Sequence, residues 1–173
     1  MHIPGIGPLT KDDRFEWYYS EPMVIPVLGE QPSRFILDGY DEDPNREDFH
    51  SAIHNFLKID QSVLKQCEEH VYRYYKDRND DLEPGEEGYT VIDSPGDVWD
   101  HIRLGCEPAV RRRAYGDKGI YVSVECGCDW EIEHGLQIVF KNGLIVNKVG
   151  PYDGHLTLSD AYNDEKLENV IYR

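Results

Sequence analysis

The sequence predicts an α+β fold, an antiparallel β-meander sheet with an α-helical hairpin and a short helix packed on one face. Apolar residues recur at helical spacing within residues 44–77, and they alternate with polar residues within residues 109–149. The dipeptide Asn142-Gly143 separates two strand-like runs, as in a tight hairpin. Helical and alternating segments that are separated along the chain are typical of α+β domains. The length of 173 residues suits one domain spanning residues 1–173.

Residues 15–40 predict an N-terminal β-hairpin. The runs Met23–Leu28 and Arg34–Leu37 have strand composition, and the residues between them suit a hairpin loop. Pro22 and Pro26 lack the backbone N–H that a strand donates to its neighbour, so the first strand should be an edge strand or be broken.

Residues 44–77 predict two helices joined by a tight link. Pro44 follows a capping residue and occupies a permitted first-turn position, and Asp60 is the expected cap of the second helix. Residues 94–104 predict a short helix that begins after Ser94. The apolar stripes of the two long helices comprise Phe49, Ala52, Ile53, Phe56, Leu57, Val63, Leu64, Cys67, Val71, Tyr74 and Tyr75.

Residues 109–149 predict the β-meander. Apolar and polar residues alternate from Ile120 to Cys126, which indicates a half-buried strand. We expect residues 126–134 to form a loop, and the tail 151–173 to contain a short helix and a terminal strand.

The charge balance restricts the classes of partner. Thirty-four Asp and Glu against 18 Lys and Arg give a net charge of −16, which repels nucleic acids and anionic membranes and favours basic proteins. The only basic run is Arg111–Arg113, and in a strand Arg112 should point away from its two neighbours. The N-terminus lacks the pattern of a signal peptide, and no apolar run is long enough to span a bilayer, so the sequence predicts a cytoplasmic protein with reduced thiols.

Residues 126–134 concentrate reactive side chains and suggest three alternative sites. Cys126, Cys128 and His134 are candidate zinc ligands, with Cys106 or His155 as a fourth. The Cys-x-Cys spacing is shorter than in usual zinc knuckles and has no second pair, so the simpler interpretation is a core cysteine beside a loop cysteine. No other cofactor is indicated.

The same segment could hold catalytic groups. Cys128 with His134 could form a nucleophilic pair, and Asp129, Glu131 and Glu133 could act with His134 in acid–base chemistry. No nucleophile elbow, phosphate loop or Ser/His/Asp set accompanies them.

Trp130 has two interpretations. Its large ring could anchor a protein interface, or it could fold back to cap the sheet. The sequence does not choose between them.

Several segments resemble a bacterial family known only as a domain of unknown function. They are DGYDEDPNREDFHSAIHNFL, HVYRYYKD, CDWEIEHGLQIVFKNG and KVGPYDGHLT, which lie along most of the chain. The resemblance supplies no catalytic residue. Similar small acidic bacterial proteins are often proposed to be immunity proteins for secreted toxins.

The sequence therefore predicts a non-enzymatic acidic interaction protein, in its sharpest form an immunity protein that neutralises a basic toxin domain. The alternative is a metal-binding protein or a hydrolase that uses Cys126, Cys128 and His134. Neither nucleic acid nor membrane is an expected partner, and the oligomeric state is left open. The predicted partner contacts are Asp41, Glu42, Asp43, Asp80, Asp81, Glu83, Trp130, Glu131 and Glu133.

Overall fold

A computed structural model describes all of residues 1–173 as a nine-stranded sheet with helices packed on one face. The order of strands along the sheet is β1-β2-β3-β6-β8-β9-β10-β11, and β7 pairs with β9. The strands are β1 (His2–Ile3), β2 (Gly7–Lys11), β3 (Tyr18–Ser20), β4 (Met23–Val24), β5 (Pro32–Ser33), β6 (Ile36–Asp38), β7 (Ile102–Arg103), β8 (Ala109–Arg112), β9 (Ile120–Cys128), β10 (Glu131–Lys141) and β11 (Ile145–Gly150). Strands β4 and β5 form a separate two-stranded ribbon.

Three α-helices and four short 3₁₀ segments complete the structure. The α-helices are α1 (Arg46–Phe56), α2 (Glu68–Asn79) and α3 (Leu158–Tyr162). The 3₁₀ segments are Pro26–Leu28, Gln61–Gln66, Pro95–His101 and Glu165–Leu167. None of the helices combines the length and apolar character that crossing a membrane requires.

The α+β class is confirmed, but the sheet is mixed rather than purely antiparallel. Strand β6 runs parallel to β8, whereas the other neighbouring strands are antiparallel. A parallel pair needs a long connection between its strands. The chain provides one here, because α1, α2 and the 3₁₀ segment Pro95–His101 all lie between β6 and β8.

Within residues 15–40, for which a hairpin was predicted, β4 and β5 pair as a short antiparallel hairpin. The run from Met23 is broken after Val24, where Pro26 begins a 3₁₀ turn. The main sheet takes β2, β3 and β6 instead, which pair as neighbours. Pro26 has no backbone N–H to donate to a neighbouring strand, which explains the break after Val24.

The helical region also differs in its second half. Asp60 accepts a hydrogen bond from the backbone N–H of Ser62, as expected of a cap, but the turn that follows is 3₁₀. Helix α2 begins only at Glu68. The segment predicted as a helix over 94–104 is likewise 3₁₀, and the tail has α3 but no terminal strand.

The principal core lies between the sheet and α1 and α2. Strand β9 contributes Val122, Val124, Cys126 and Cys128 to it, and the helices contribute Phe49, Phe56, Val71 and Tyr74. The alternation predicted from Ile120 to Cys126 thus corresponds to the helix-covered face.

The opposite face of the sheet is only half covered. At one end, Leu156 from the C-terminal segment packs on Tyr121 and Val139. Beside it lies Lys148, which is 1% exposed and donates hydrogen bonds to Gln137, Asp153 and the carbonyl oxygen of His155. The other half of this face is left open to solvent.

The three consecutive arginines fasten peripheral segments to both faces. Arg112 binds Asp43 and Asp48 on the helix side, with Nε 2.6 Å from Asp43 Oδ2. Arg111 donates to the carbonyl oxygen of Gly154, and Arg113 to Asp160, on the opposite side. The strand alternation predicted for these residues is therefore present.

The Asn142-Gly143 turn has the geometry that its sequence predicts. Both residues have positive φ, of 52° and 68°. The turn packs so closely on α1 that a Cβ at position 143 would lie 2.1 Å from the carbonyl oxygen of Ala52. Glycine is therefore required both by the turn and by the contact with the helix.

Candidate functional site

Residues 126–134 form a hairpin end with a large bulge rather than a loop. Strand β9 continues to Cys128 and the chain reverses at Asp129 and Trp130. Glu131 pairs with Cys128, but the next paired residue of β10 is Leu136, opposite Cys126. Residues 132–135 therefore stand opposite a single residue of β9 and arch out of the sheet. We call residues 132–134 the bulge.

A buried carboxylate holds the start of the bulge. Glu131 is 6% exposed, and its Oε1 accepts from the backbone N–H groups of Glu133 and His134 at 3.2 and 3.3 Å. Its Oε2 lies 2.5 Å from Nη2 of Arg78 on α2. The carboxylate is thus fully engaged in shaping the bulge and joining it to the helix.

The end of the bulge is held equally firmly. Tyr74 of α2 donates a hydrogen bond to the carbonyl oxygen of Gly135 at 2.9 Å. Gly135 has φ of 58°, and a Cβ there would lie 2.4 Å from the carbonyl oxygen of Cys126, so only glycine fits. The backbone N–H of Tyr152 donates to the carbonyl oxygen of His134. Bulges held in this way commonly aim side chains at a functional site.

The bulge forms one wall of a groove over the open half of the sheet. The groove has a volume of about 600 Å³, within the range of ligand-binding sites. Its floor comes from β6, β8 and β9, and the facing walls include Trp17, Cys106 and Tyr152. The bulge contributes Ile132, which is 62% exposed.

Carboxylates dominate the charges of the groove. Asp38, Glu125 and Glu133 line it, and none of the three lies within ion-pair distance of a basic side chain. Glu107 also lines the groove but is paired with Arg34 at 2.6 Å. The groove is therefore an acidic surface with unpaired carboxylates, next to an exposed aliphatic side chain.

On the other side of the bulge is a smaller depression of about 270 Å³. Asp81 and Glu87 of the loop after α2 line it, together with Ile132 and Glu133. The bulge thus separates two acidic concave surfaces, and Ile132 and Glu133 belong to both.

The predicted zinc site is not assembled. Cys126 and Cys128 are two residues apart on one strand, and both side chains are buried in the core, whereas His134 on the bulge is 57% exposed. No group of three or more His, Cys, Asp or Glu in the structure could hold a metal ion. The arrangement of Cys126, Cys128 and His134 therefore gives no support to the predicted ligand set.

Burial keeps the two thiols in their neutral form. Burial raises the pKa of Cys126 and that of Cys128 to about 12. The thiolate, which is the reactive and metal-binding form, is therefore scarce at neutral pH. Both residues serve as apolar core side chains.

Three of the predicted partner contacts lie inside the protein. Trp130 is 2% exposed and packs edge-on against Tyr74 and Tyr75, with ring centroids 6.0 and 5.8 Å apart. It folds back onto the core and is not a surface anchor. Glu131 is buried as described, and the side chain of Asp43 is 5% exposed in its ion pair with Arg112. The side-chain hydrogen bond from Arg112 lowers the pKa of Asp43, so the pair is charged at neutral pH.

The six remaining predicted contacts are exposed but scattered. Asp41 pairs with Arg46 and Asp80 with Lys76. The other four are Glu42, Asp81, Glu83 and Glu133. Only Asp81 and Glu133 meet at one site, the smaller depression beside the bulge.

Sequence reasoning missed several residues of the groove. The missed ones are Trp17, Asp38, Glu125, Ile132 and Tyr152. The sequence did indicate the direction of Glu125. This residue alternates with core residues along its strand, so its side chain must face away from the core. Ile132 lies within residues 126–134 but was not among the predicted contacts. Trp17, Asp38 and Tyr152 are distant in sequence and are brought to the groove by the fold.

Comparison with known proteins agrees with the resemblance seen in the sequence. A family model described as a domain of unknown function, DUF6985, matches residues 5–156. The chain belongs to the DUF6985 family. No curated protein and no solved structure matches it. The bulge, the groove and the smaller depression all lie within the range that the DUF6985 family model covers.

We predict that Glu131→Gln loosens the bulge. The substitution removes the charge that pairs with Arg78 and weakens the acceptor for two backbone N–H groups, so stability should fall by about 1–3 kcal/mol. Hydrogen exchange at the amides of Glu133 and His134 should become faster, as measured by NMR. Glu133→Gln, which removes the same charge from an exposed side chain, is the control. Equal exchange in wild type and Glu131→Gln would show that the carboxylate does not hold the bulge.

Proposed function

We propose that this DUF6985 protein is a non-enzymatic acidic interaction protein that captures a basic protein partner, and that the bulge is the centre of its contact surface. The proposal applies to the cytoplasm, where reduced thiols persist. One observation carries it. A firmly held bulge presents the exposed Ile132 between two concave surfaces, each of which contains carboxylates without a basic partner. These carboxylates are Asp38, Glu125 and Glu133 in the groove and Asp81, Glu87 and Glu133 in the smaller depression.

This arrangement has the composition that protein interfaces require. An aliphatic side chain can be fully desolvated at the centre of a contact, and charged groups around it select the partner. Glu131 and Tyr74 anchor the backbone on both sides of Ile132, so little conformational freedom is lost on binding.

The net charge supports the same function through association kinetics. A charge of −16 creates a field that attracts a basic protein over a distance set by the salt concentration. Electrostatic steering mainly raises the association rate, while the contact at Ile132 would govern dissociation. Rapid capture is what an immunity protein needs to neutralise a basic toxin, and that is the most specific form of the proposal.

The test is affinity capture with matched variants. Immobilised wild-type protein should retain a basic protein from the lysate of the source organism, identified by mass spectrometry. The variant Ile132→Ser with Glu133→Gln should weaken retention by about tenfold. The control Ile145→Ser with Glu165→Gln removes an aliphatic side chain of similar exposure and the same charge elsewhere, and it should bind as wild type does.

Two results would contradict the proposal. One is a captured partner that both variants bind equally. The other is retention that does not change with salt concentration, because steering between opposite charges is screened by salt. If the captured partner is a toxin domain, co-expression with this protein should restore growth, and the bulge variant should not.

A further inference from the structure

The unpaired carboxylates of the groove sit beside aromatic rings on an uncovered sheet face. Asp38 lies on β6 next to Arg111 of β8, yet Arg111 donates to the carbonyl oxygen of Gly154 instead. Glu125 projects from β9 on the same face, and no side chain of the protein donates a hydrogen bond to it. The rings of Trp17 and Tyr152 line the same groove.

We infer that this groove binds an extended segment of the basic partner through an arginine side chain. A guanidinium group is planar, forms paired hydrogen bonds with carboxylates and stacks on aromatic rings, so it fits both kinds of wall. The groove offers three unpaired carboxylates against the single guanidinium of Arg111. This inference rests on the proposed function and names the chemistry that the contact surface recognises.

The size of the groove fits a short segment of chain. A volume of about 600 Å³ exceeds what one side chain fills, so neighbouring backbone can enter with the arginine. The sheet forms a floor in which the side chains are already held by hydrogen bonds. Lys148 donates to Gln137 at 2.7 Å, and Gln137 donates to Ser123, a groove residue, at 2.9 Å.

The experiment uses the full chain and a short acetylated peptide of alternating glycine and arginine. Trp17 lines the groove, so binding should change tryptophan fluorescence, and calorimetry should give the dissociation constant. Trp17→Phe should remove the fluorescence change while calorimetry still detects binding. Peptides with lysine or the neutral isostere citrulline in place of arginine should bind at least about tenfold more weakly.

Matched variants locate the binding to the groove. Asp38→Asn with Glu125→Gln should raise the dissociation constant of the arginine peptide by about tenfold or more, because both carboxylates line the groove that the peptide would occupy. Asp13→Asn with Glu21→Gln removes the same charge at exposed positions outside the groove and should leave the dissociation constant within about twofold. Circular dichroism would verify that both variants are folded. Glu133→Gln tests the third unpaired carboxylate of the groove in the same way.

Three results would overturn the inference. They are equal weakening by the groove and control variants, equal binding of the citrulline peptide, and equal binding of the lysine peptide. Such a result leaves the capture experiment unaffected, because that experiment depends on Ile132. Failure of the wild-type protein to capture a basic partner, with peptide binding intact, would instead contradict the proposed function.

Discussion

Trp130→Ala is expected to lower the free energy of unfolding by about 3–5 kcal/mol, the cost of removing a large buried ring. Trp130 is 2% exposed and fills the space between the hairpin end and two tyrosines of α2. Domains of this kind are stable by only about 5–15 kcal/mol, so the variant should be close to unfolding. Urea denaturation followed by circular dichroism would measure the change.

Two further substitutions sharpen this prediction. Trp130→Phe keeps an aromatic ring in place and removes an indole N–H that has no hydrogen-bond partner, so it should cost less than Trp130→Ala. Trp17→Ala, at a half-buried position in the groove, should change the free energy of unfolding by less than about 1 kcal/mol. The same substitution should weaken binding of the arginine peptide. A Trp130→Ala protein as stable as wild type would show that the ring does not support the hairpin end.

Arg113→Met should lower the free energy of unfolding by about 3–5 kcal/mol, because it leaves two carboxylates without the cation between them. Arg113 is 3% exposed and lies 2.7 Å from Asp160 Oδ2 and 2.5 Å from Glu168 Oε1. It also donates to Ser159. The matched control is Arg103→Met. Arg103 pairs with Asp129 at the surface, and its side chain is 67% exposed, so this substitution should lower the free energy of unfolding by less than about 1 kcal/mol.

The same variant should change how stability depends on pH. The side-chain hydrogen bond from Arg113 lowers the pKa of Glu168 below its usual value. A carboxyl with a lowered folded-state pKa contributes stability above its unfolded pKa of about 4.3, and the contribution is lost as the pH falls through the folded value. Denaturation at a series of pH values should show this loss in wild type and a smaller one in Arg113→Met. Parallel profiles would contradict the role assigned to Arg113.

Local sequence signals predicted much of the fold. The Asn142-Gly143 turn, the alternation that starts at Ile120 and the apolar stripe of α1 each depend on residues close together in the chain. At Met23–Leu28 the strand is short and stops before Pro26, and at Gln61–Gln66 the segment predicted as the start of a helix is 3₁₀. The exact residue at which an element stops is set less sharply by local signals than the presence of the element.

The candidate site was harder to predict than the fold. Residues 126–134 attracted attention because of their composition, and they do form the hairpin end that bears the bulge. Their positions could not be read from the sequence, because Trp130, Glu131 and the two cysteines are buried whereas His134 is exposed on the bulge. The partners of Glu131 and Trp130 are on α2, far away in the chain, and no local pattern indicates such pairs.

The sequence by itself determined the α+β class, the charge of −16, the position of the Asn142-Gly143 turn and the opposite directions of Arg112 and its neighbours. These properties follow from composition, backbone preference and periodicity, which act over a few residues. Only the tertiary structure decided that Trp130 lies in the core, that Glu131 holds a bulge, and that Asp38, Glu125 and Trp17 share a groove. Those arrangements depend on which strands become neighbours and on which buried charges find partners, and both are settled by packing across the whole chain.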